Sequence, residues 1–424
     1  VPVRAVLKLP LRHRLGCSAS DTPRVRRKCQ KLTPAMMRQI SSNGMDRLLP
    51  TEAAGRSVRL CLLTTGALYP MAKASKNDIA GVTSIGVDIG KEVFHLVGFD
   101  GDGKLVLRRK IKRLALVSTF EKFPRCIVGM EACLSAHFVS RTLRRLGFEP
   151  RIIPAKYTRP FVKGQKNDYN DAEAIAEAAL RPNLKCVSEK TQDQLDLQAL
   201  HRVRSRLVSR RTATINQIRA FLIEQGITVR TGASALRNSL FAILKNRDDE
   251  ISERMHDIII GLYEDWLWLD ERIESTSTDI EMIAKSEGNC QNLMTIPGVG
   301  PLISTGMVAA VGSGEAFERG RDFAAWLGLV PRQYSTGGKP ILGRISKRGS
   351  KYLRTLFVQA AQIILMRPQN WHKLSFGNWL ETAAPRMHKN KLAIALANKL
   401  ARIAWSILRS GKAFDTHRIE VTAV

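Results

Sequence analysis

The sequence is short of patterned metal and redox ligands. Its seven cysteines are scattered singly, with no CxxC pair and no Cys/His spacing of a zinc site. A zinc finger and a disulfide framework are thereby excluded, and the thiols read as reduced, structural residues of a cytoplasm. Eight histidines form no HExxH cluster. No run reaches the roughly 18 apolar residues of a membrane span. No GxxxxGK[ST] loop occurs, so a P-loop nucleotidase is excluded. Acid is also scarce: 38 Asp and Glu stand against 67 Lys and Arg, leaving a net charge of +29. That surplus favours a polyanionic partner, because each cation set on a phosphate releases condensed counterions. What is present suffices for real cores: 44% of the 424 residues are hydrophobic, which excludes wholesale disorder.

Along the chain, residues 1–70 mix Arg and Lys with short apolar pieces and show no sustained period. Met71 opens "MAKASKNDIAGVTSIGVDIG" like a natural start, so the expectation for 1–78 is a non-native or disordered basic extension. From 84 the pattern turns α/β. "SIGVDIG" is a short buried strand. "EVFHLVGFD" and "KLVLRRKI" flank the turn Gly101-Asp102-Gly103. "RCIVGMEA" and "EPRIIP" are further strands. "SAHFVSRTLRRLG" is a helix closed by Gly147, and "DYNDAEAIAEAAL" is a second. Residues 189–226 and 246–287 read as long helices, as a coiled-coil-like arm or as an ordinary bundle. A mostly helical region follows from about 290 to 410.

Four acids stand out. Asp88 and Glu131 end apolar strands, and Asp168 and Asp171 share one face at the start of a helix. Such carboxylates can converge at one sheet edge, where mutual repulsion calls for cations. Two Mg²⁺ ions there would serve phosphoryl chemistry. Each acid also has a plainer reading: Asp88 as a turn former, Asp168 as a helix cap.

The second chemical region is C-terminal. Pro297-Gly298-Val299-Gly300 joins two apolar helical segments, as a helix-hairpin-helix or a plain turn. In the first case Gly298 and Gly300 would admit a phosphate to a helix N-terminus. Further on, Ser335 and Thr336 precede Gly337-Gly338 in a Gly-rich loop. Arg332, Lys339, Arg344, Lys347, Arg348, Lys351 and Arg354 surround them with no acid between 329 and 354. These cations would stabilise an attacking serine and a charged transition state. A serine that only hydrogen-bonds a phosphate fits the same loop.

Together "GVDIGKEVFHLVGFD", "GMEAC", "KNDYNDAEAIAEA", "IPGVGP" and "WLGLVPRQYSTGGKPILGRISKRGSKYLRTL" resemble the insertion-sequence-110 family of transposases, its 1111 subgroup in particular. The resemblance covers about 84–405. It implies an RNase H-like (RuvC-like) α/β domain over 79–185 with a DEDD acidic set. A helical, coiled-coil-like linker would span 186–288, a mostly α serine transposase domain 289–410, and a tail 411–424. It implies that Asp88, Glu131, Asp168 and Asp171 hold Mg²⁺ and that Ser335 is the nucleophile, with Thr336 and the more remote Ser346 as alternatives. Implied partners are DNA, a structured guide RNA and further copies of the chain, as a homodimer or homotetramer. Rival readings are an actin-like ATPase or kinase built on the "IGVDIGKEVFHLVGFDGDGK" hairpin, a non-enzymatic nucleic-acid-binding protein, and a junction resolvase using the acids alone.

Overall fold

Short apolar runs separated by turn residues build a five-stranded mixed sheet. The computed structural model describes residues 79–165, 167–246 and 250–415; the expectation for residues 1–78 lies outside them. Strands β1 (Ser84–Ile89), β2 (Val93–Phe99) and β3 (Leu105–Lys112) form an antiparallel meander. Helices α1 (Leu116–Phe120) and α2 (Ala136–Arg145) flank β4 (Ile127–Glu131), and β5 (Glu149–Ile153) follows. β4 pairs parallel with β1 and β5 with β4, giving the order β3-β2-β1-β4-β5. A short turn, α3 (Ala155–Thr158), precedes α4 (Asp168–Ala179).

Strand alternation divides the work of the two faces. Ile85, Val87, Val128 and Met130 share a core with Val139 and Leu143 of α2 and with Phe120. The intervening Gly86 and Gly129 face α4. A Cβ on Gly86 would overlap the Ala172 carbonyl, and one on Gly129 would stand 2.7 Å from the Ala179 Cβ. Glycine on the strands and alanine on the helix therefore let α4 lie directly on the sheet backbone. Asp88 and Glu131 follow two residues after Gly86 and Gly129, so they emerge on the same face.

Helix α5 (Gln192–Glu224) opens with a capping box between Thr191 and Gln194. At 33 residues it is about 50 Å long. It packs along α7 (Glu253–Ser286), and both contribute to a core with α6 (Ala233–Asn246) that includes Leu222, Leu240, Ile259 and Trp266. The sequence reading ran α7 from 246. Ser252 caps it instead, its side chain accepting from the Met255 N–H, and α6 was not anticipated.

The C-terminal region is mostly helical: α8 (Gly288–Met294), α9 (Pro301–Val311), α10 (Gly320–Trp326), α11 (Lys351–Leu365), α12 (Gly377–Ala383) and α13 (Lys389–Ser410). Met307, Phe323, Phe357, Leu396 and Leu400 lie in its core. Between α10 and α11 stands an antiparallel hairpin, β6 (Pro331–Thr336) and β7 (Lys339–Ile345). The expected Gly-rich loop around Ser335 is thus corrected to a strand. Gly337 and Gly338, with φ of 55° and 76°, form its two-residue turn, the backbone shape that a tight hairpin needs. Among the described residues no helix is long and apolar enough to cross a membrane.

Candidate active site

The register places two of the acids side by side. Val87 pairs with Met130 in the parallel β1–β4 ladder, so the next residues, Asp88 and Glu131, end neighbouring strands. The seat of α4 brings its first turn to the same edge. Asn167, not Asp168, caps α4, its side chain accepting from the Tyr169 N–H at 2.9 Å. Asp168 is thereby released from the capping role considered for it, and its carboxylate lies 3.5 Å from the Nδ1 of His95.

The four carboxylates share one electrostatic neighbourhood. The Asp88 carboxyl is held above the ordinary aspartate range, first by burial and then by the charges of Asp168 and Asp171, with Glu131 adding to them. His95 acts in the opposite sense. Asp88, Glu131 and Asp171 are half-buried and Asp168 is exposed. Among the described residues no three His, Cys, Asp or Glu side chains stand gathered as a finished metal cage. The donor set is nonetheless all carboxylate oxygen, and such a set suits a hard divalent cation.

His95 escaped the sequence reading. It sits on β2 directly opposite Asp88 in the β1–β2 ladder. Its ring meets Tyr169 edge-on at 4.8 Å, and the Arg108 guanidinium covers the Tyr169 ring at 4.4 Å. A histidine inside the apolar run "VFHLVGF" was the available signal.

Ser335 lies on β6 of the C-terminal hairpin. Residues 331–344 are exposed throughout. Ser335 Oγ accepts a hydrogen bond from Gln333 Nε2 at 2.6 Å, within the same strand. Among the described residues no hydrogen bond or ion pair joins the hairpin to Asp88, Glu131, Asp168 or Asp171. Thr336 is exposed beside Ser335. Ser346 Oγ is buried, with no hydrogen-bond partner among the described residues. The structure therefore sets Asp88 within electrostatic reach of Glu131, Asp168 and Asp171 and carries Ser335 on an exposed hairpin.

Cations surround that ribbon. Arg332, Lys339 and Arg344 lie on the hairpin, Lys347 and Arg348 follow it, and Lys351 opens α11; all are exposed. Arg354 has a different duty: its Nη1 donates to the carbonyls of Leu327 at 2.7 Å and Arg348 at 2.9 Å. It fastens the base of the hairpin to the end of α10. Gly298 is exposed with φ 82°, and the space a Cβ would need is filled by Ile364 of α11 at 2.9 Å. Packing therefore accounts for Gly298. Gly300, at the N-cap of α9, has open space around it.

A buried polar link holds the helical parts together. His201 on α5 meets the Tyr352 hydroxyl through Nδ1 at 2.9 Å and the Thr305 hydroxyl through Nε2 at 3.0 Å. Burial, reinforced by Arg204, pushes its pKa down to about 4.

Two family models match. One, described as Transposase IS116/IS110/IS902 family, covers residues 290–375, which contain the hairpin. The other, a DEDD-type IS110 transposase model, covers residues 85–225, which contain all four acids. The transposase for insertion sequence element IS1328 of Yersinia enterocolitica is 39% identical, over 79% of this chain and 99% of that protein. The transposase for insertion sequence element IS1111A of Coxiella burnetii is 40% identical, over 79% of this chain and 92% of its own length.

Proposed function

The chain belongs to the IS116/IS110/IS902 family of transposases, and from that membership we propose how its residues divide the work of cutting and joining DNA. The enzyme cleaves DNA and transfers strands for an insertion sequence. In our reading Asp88, Glu131, Asp168 and Asp171 hold Mg²⁺, and Ser335 supplies the nucleophile. The observation that carries the first half is the placement of Asp88 and Glu131 at the ends of neighbouring strands beside the first turn of α4, with the Asp88 pKa raised first by burial and then by the charges of Asp168, Asp171 and Glu131. The second half is supported by a serine hydroxyl on an exposed ribbon ringed by cations.

Bound Mg²⁺ would neutralise charge on the phosphate and on the attacking and leaving oxygens. The chain's own groups do the rest. Arg332, Lys339 and Arg344 hold the DNA backbone and stabilise the transition-state charge. The Ser335 Oγ loses its proton and forms a bond to phosphorus. The phosphorus–oxygen bond to one neighbouring sugar breaks, and that oxygen takes up a proton and leaves as a hydroxyl. The resulting serine–DNA ester conserves the energy of the broken bond. A hydroxyl from the partner strand then attacks it, releasing Ser335 and completing the exchange.

In our reading the ribbon of one copy completes the acidic edge of another in a dimer or tetramer. A structured guide RNA as a further partner beside DNA is taken from the family resemblance. An actin-like kinase is not favoured, because the matched family models cover both halves of the chain.

The test is recombination between donor and target plasmids, with the RNA of the element's flanks supplied. The wild type recombines; Asp88→Ala and Ser335→Ala do not. Parent-like recombination by both variants removes the assignment. Cutting that persists in Ser335→Ala alone favours a resolvase that uses the acids only.

A further inference from the structure

The long helix α5 carries arginines of two kinds. Arg204, Arg211 and Arg219 are committed within the protein. Arg204 Nε donates to Ser277 Oγ at 2.8 Å, Arg211 Nη1 lies 3.0 Å from Asp270, and Arg219 donates to the carbonyls of Val229 and Gly232. Arg202, Arg206 and Arg210 are exposed, and none has an ion pair or hydrogen-bond partner among the described residues. They recur at every fourth position, so they stack along one face, about 6 Å apart.

Nothing in the helix neutralises this row. No acid occurs between Asp196 and Glu224. Ser205, Ser209, Ala213 and Gln217 fill the same exposed side, offering small or hydrogen-bonding groups and no bulk. The facing helix α7 is rich in Asp and Glu, yet its Asp270 engages Arg211 and leaves the row untouched. Three like charges at successive turns repel one another by a few tenths of a kcal/mol per pair. The helix tolerates them with no partner among the described residues.

We infer that Arg202, Arg206 and Arg210 form a track for the phosphate backbone of the DNA substrate, outside the hairpin and its cations. Charge complementarity is the ground: guanidinium forks match phosphate oxygens in pairs, and a straight row at helical spacing can follow one backbone. The track is rigidly placed. Arg202 adjoins His201, whose ring is bolted to Thr305 of α9 and Tyr352 of α11. Phosphates held on the row are therefore held in fixed relation to α11, the helix that follows the serine ribbon. The assignment does not depend on which hydroxyl is the nucleophile.

The experiment measures the affinity of the full chain for a duplex DNA oligonucleotide of mixed sequence across a salt series. Alanine at 202, 206 and 210 preserves helix propensity, and an unchanged melting temperature verifies the fold. Loss of three phosphate contacts lowers the slope of log affinity against log salt by about 2.7. The affinity lost between 50 and 200 mM salt then shrinks by about 40-fold relative to wild type. The triple Arg→Lys variant keeps the slope. A control removing equal charge at Lys373, Lys389 and Lys391 also keeps it. An unchanged slope in the alanine variant, or an equal fall in the control, overturns the track. A fall confined to a hairpin RNA probe, with duplex DNA unaffected, overturns the assignment to DNA.

Discussion

A methyl group on Gly86 would overlap the carbonyl oxygen of Ala172, so strand β1 and helix α4 meet backbone to backbone. This contact sets how near Asp168 and Asp171 come to Asp88. Gly86→Ala forces α4 outward and costs about 1–3 kcal/mol. Thermal melting reads the loss. Strand transfer falls further than the folded fraction does, because the acids separate.

Asp88 is held above the usual aspartate range by burial and by three neighbouring carboxylates. Its ionised form therefore opposes folding. Stability from this group is greatest at acid pH and falls as pH rises from the ordinary aspartate value through the raised one. Asp88→Asn removes the repulsion, so the metal-free protein melts higher than wild type at neutral pH. The same variant loses the thermal stabilisation that added Mg²⁺ gives wild type, and strand transfer drops by at least about 10³-fold. A lower melting temperature without metal contradicts the repulsion.

His201 carries the opposite pH signature. Its folded pKa is about 4, against roughly 6.5 in the unfolded chain. The neutral ring is the stabilising form. Its contribution is complete above about pH 6.5 and is lost as pH falls toward 4, amounting to about 3 kcal/mol. Denaturant midpoints for wild type fall across that window. In His201→Gln this component is absent, and the difference between the two proteins narrows on acidification.

If the ribbon of one copy serves the acids of another, two dead variants repair each other. Asp88→Ala and Ser335→Ala are each inactive alone. Co-assembled, they regain measurable strand transfer in a plasmid assay. Failure of the mixture, with co-assembly shown by tagged pull-down, places both groups in one subunit.

The sequence disclosed the sheet well, because each strand of the acidic half is an apolar run with a polar end. "SIGVDIG" and "RCIVGMEA" became β1 and β4, with Asp88 and Glu131 at or beside their ends. Their adjacency was not legible, since it depends on strand order and on Gly86 and Gly129 admitting α4. The β6–β7 hairpin escaped notice for a different reason. A ribbon with no buried face need not alternate, and Ile341 and Leu342 sit consecutively and exposed. Helix α6 was missed because its buried stripe is narrow: Leu236, Leu240 and Leu244 alone. His95 was passed over as one polar residue in a strand, though its partner Asp168 lies 73 residues away in sequence and 3.5 Å away in space.

The most direct measurement traps the covalent step. Full-length protein is incubated with Mg²⁺ and a nicked DNA whose cleaved end diffuses away, and the linked peptide is identified by mass spectrometry. The account predicts one DNA-bearing residue, Ser335, with no adduct in Ser335→Ala or Asp88→Asn. An adduct on Thr336 or Ser346, or cleavage that leaves no protein–DNA bond, contradicts it.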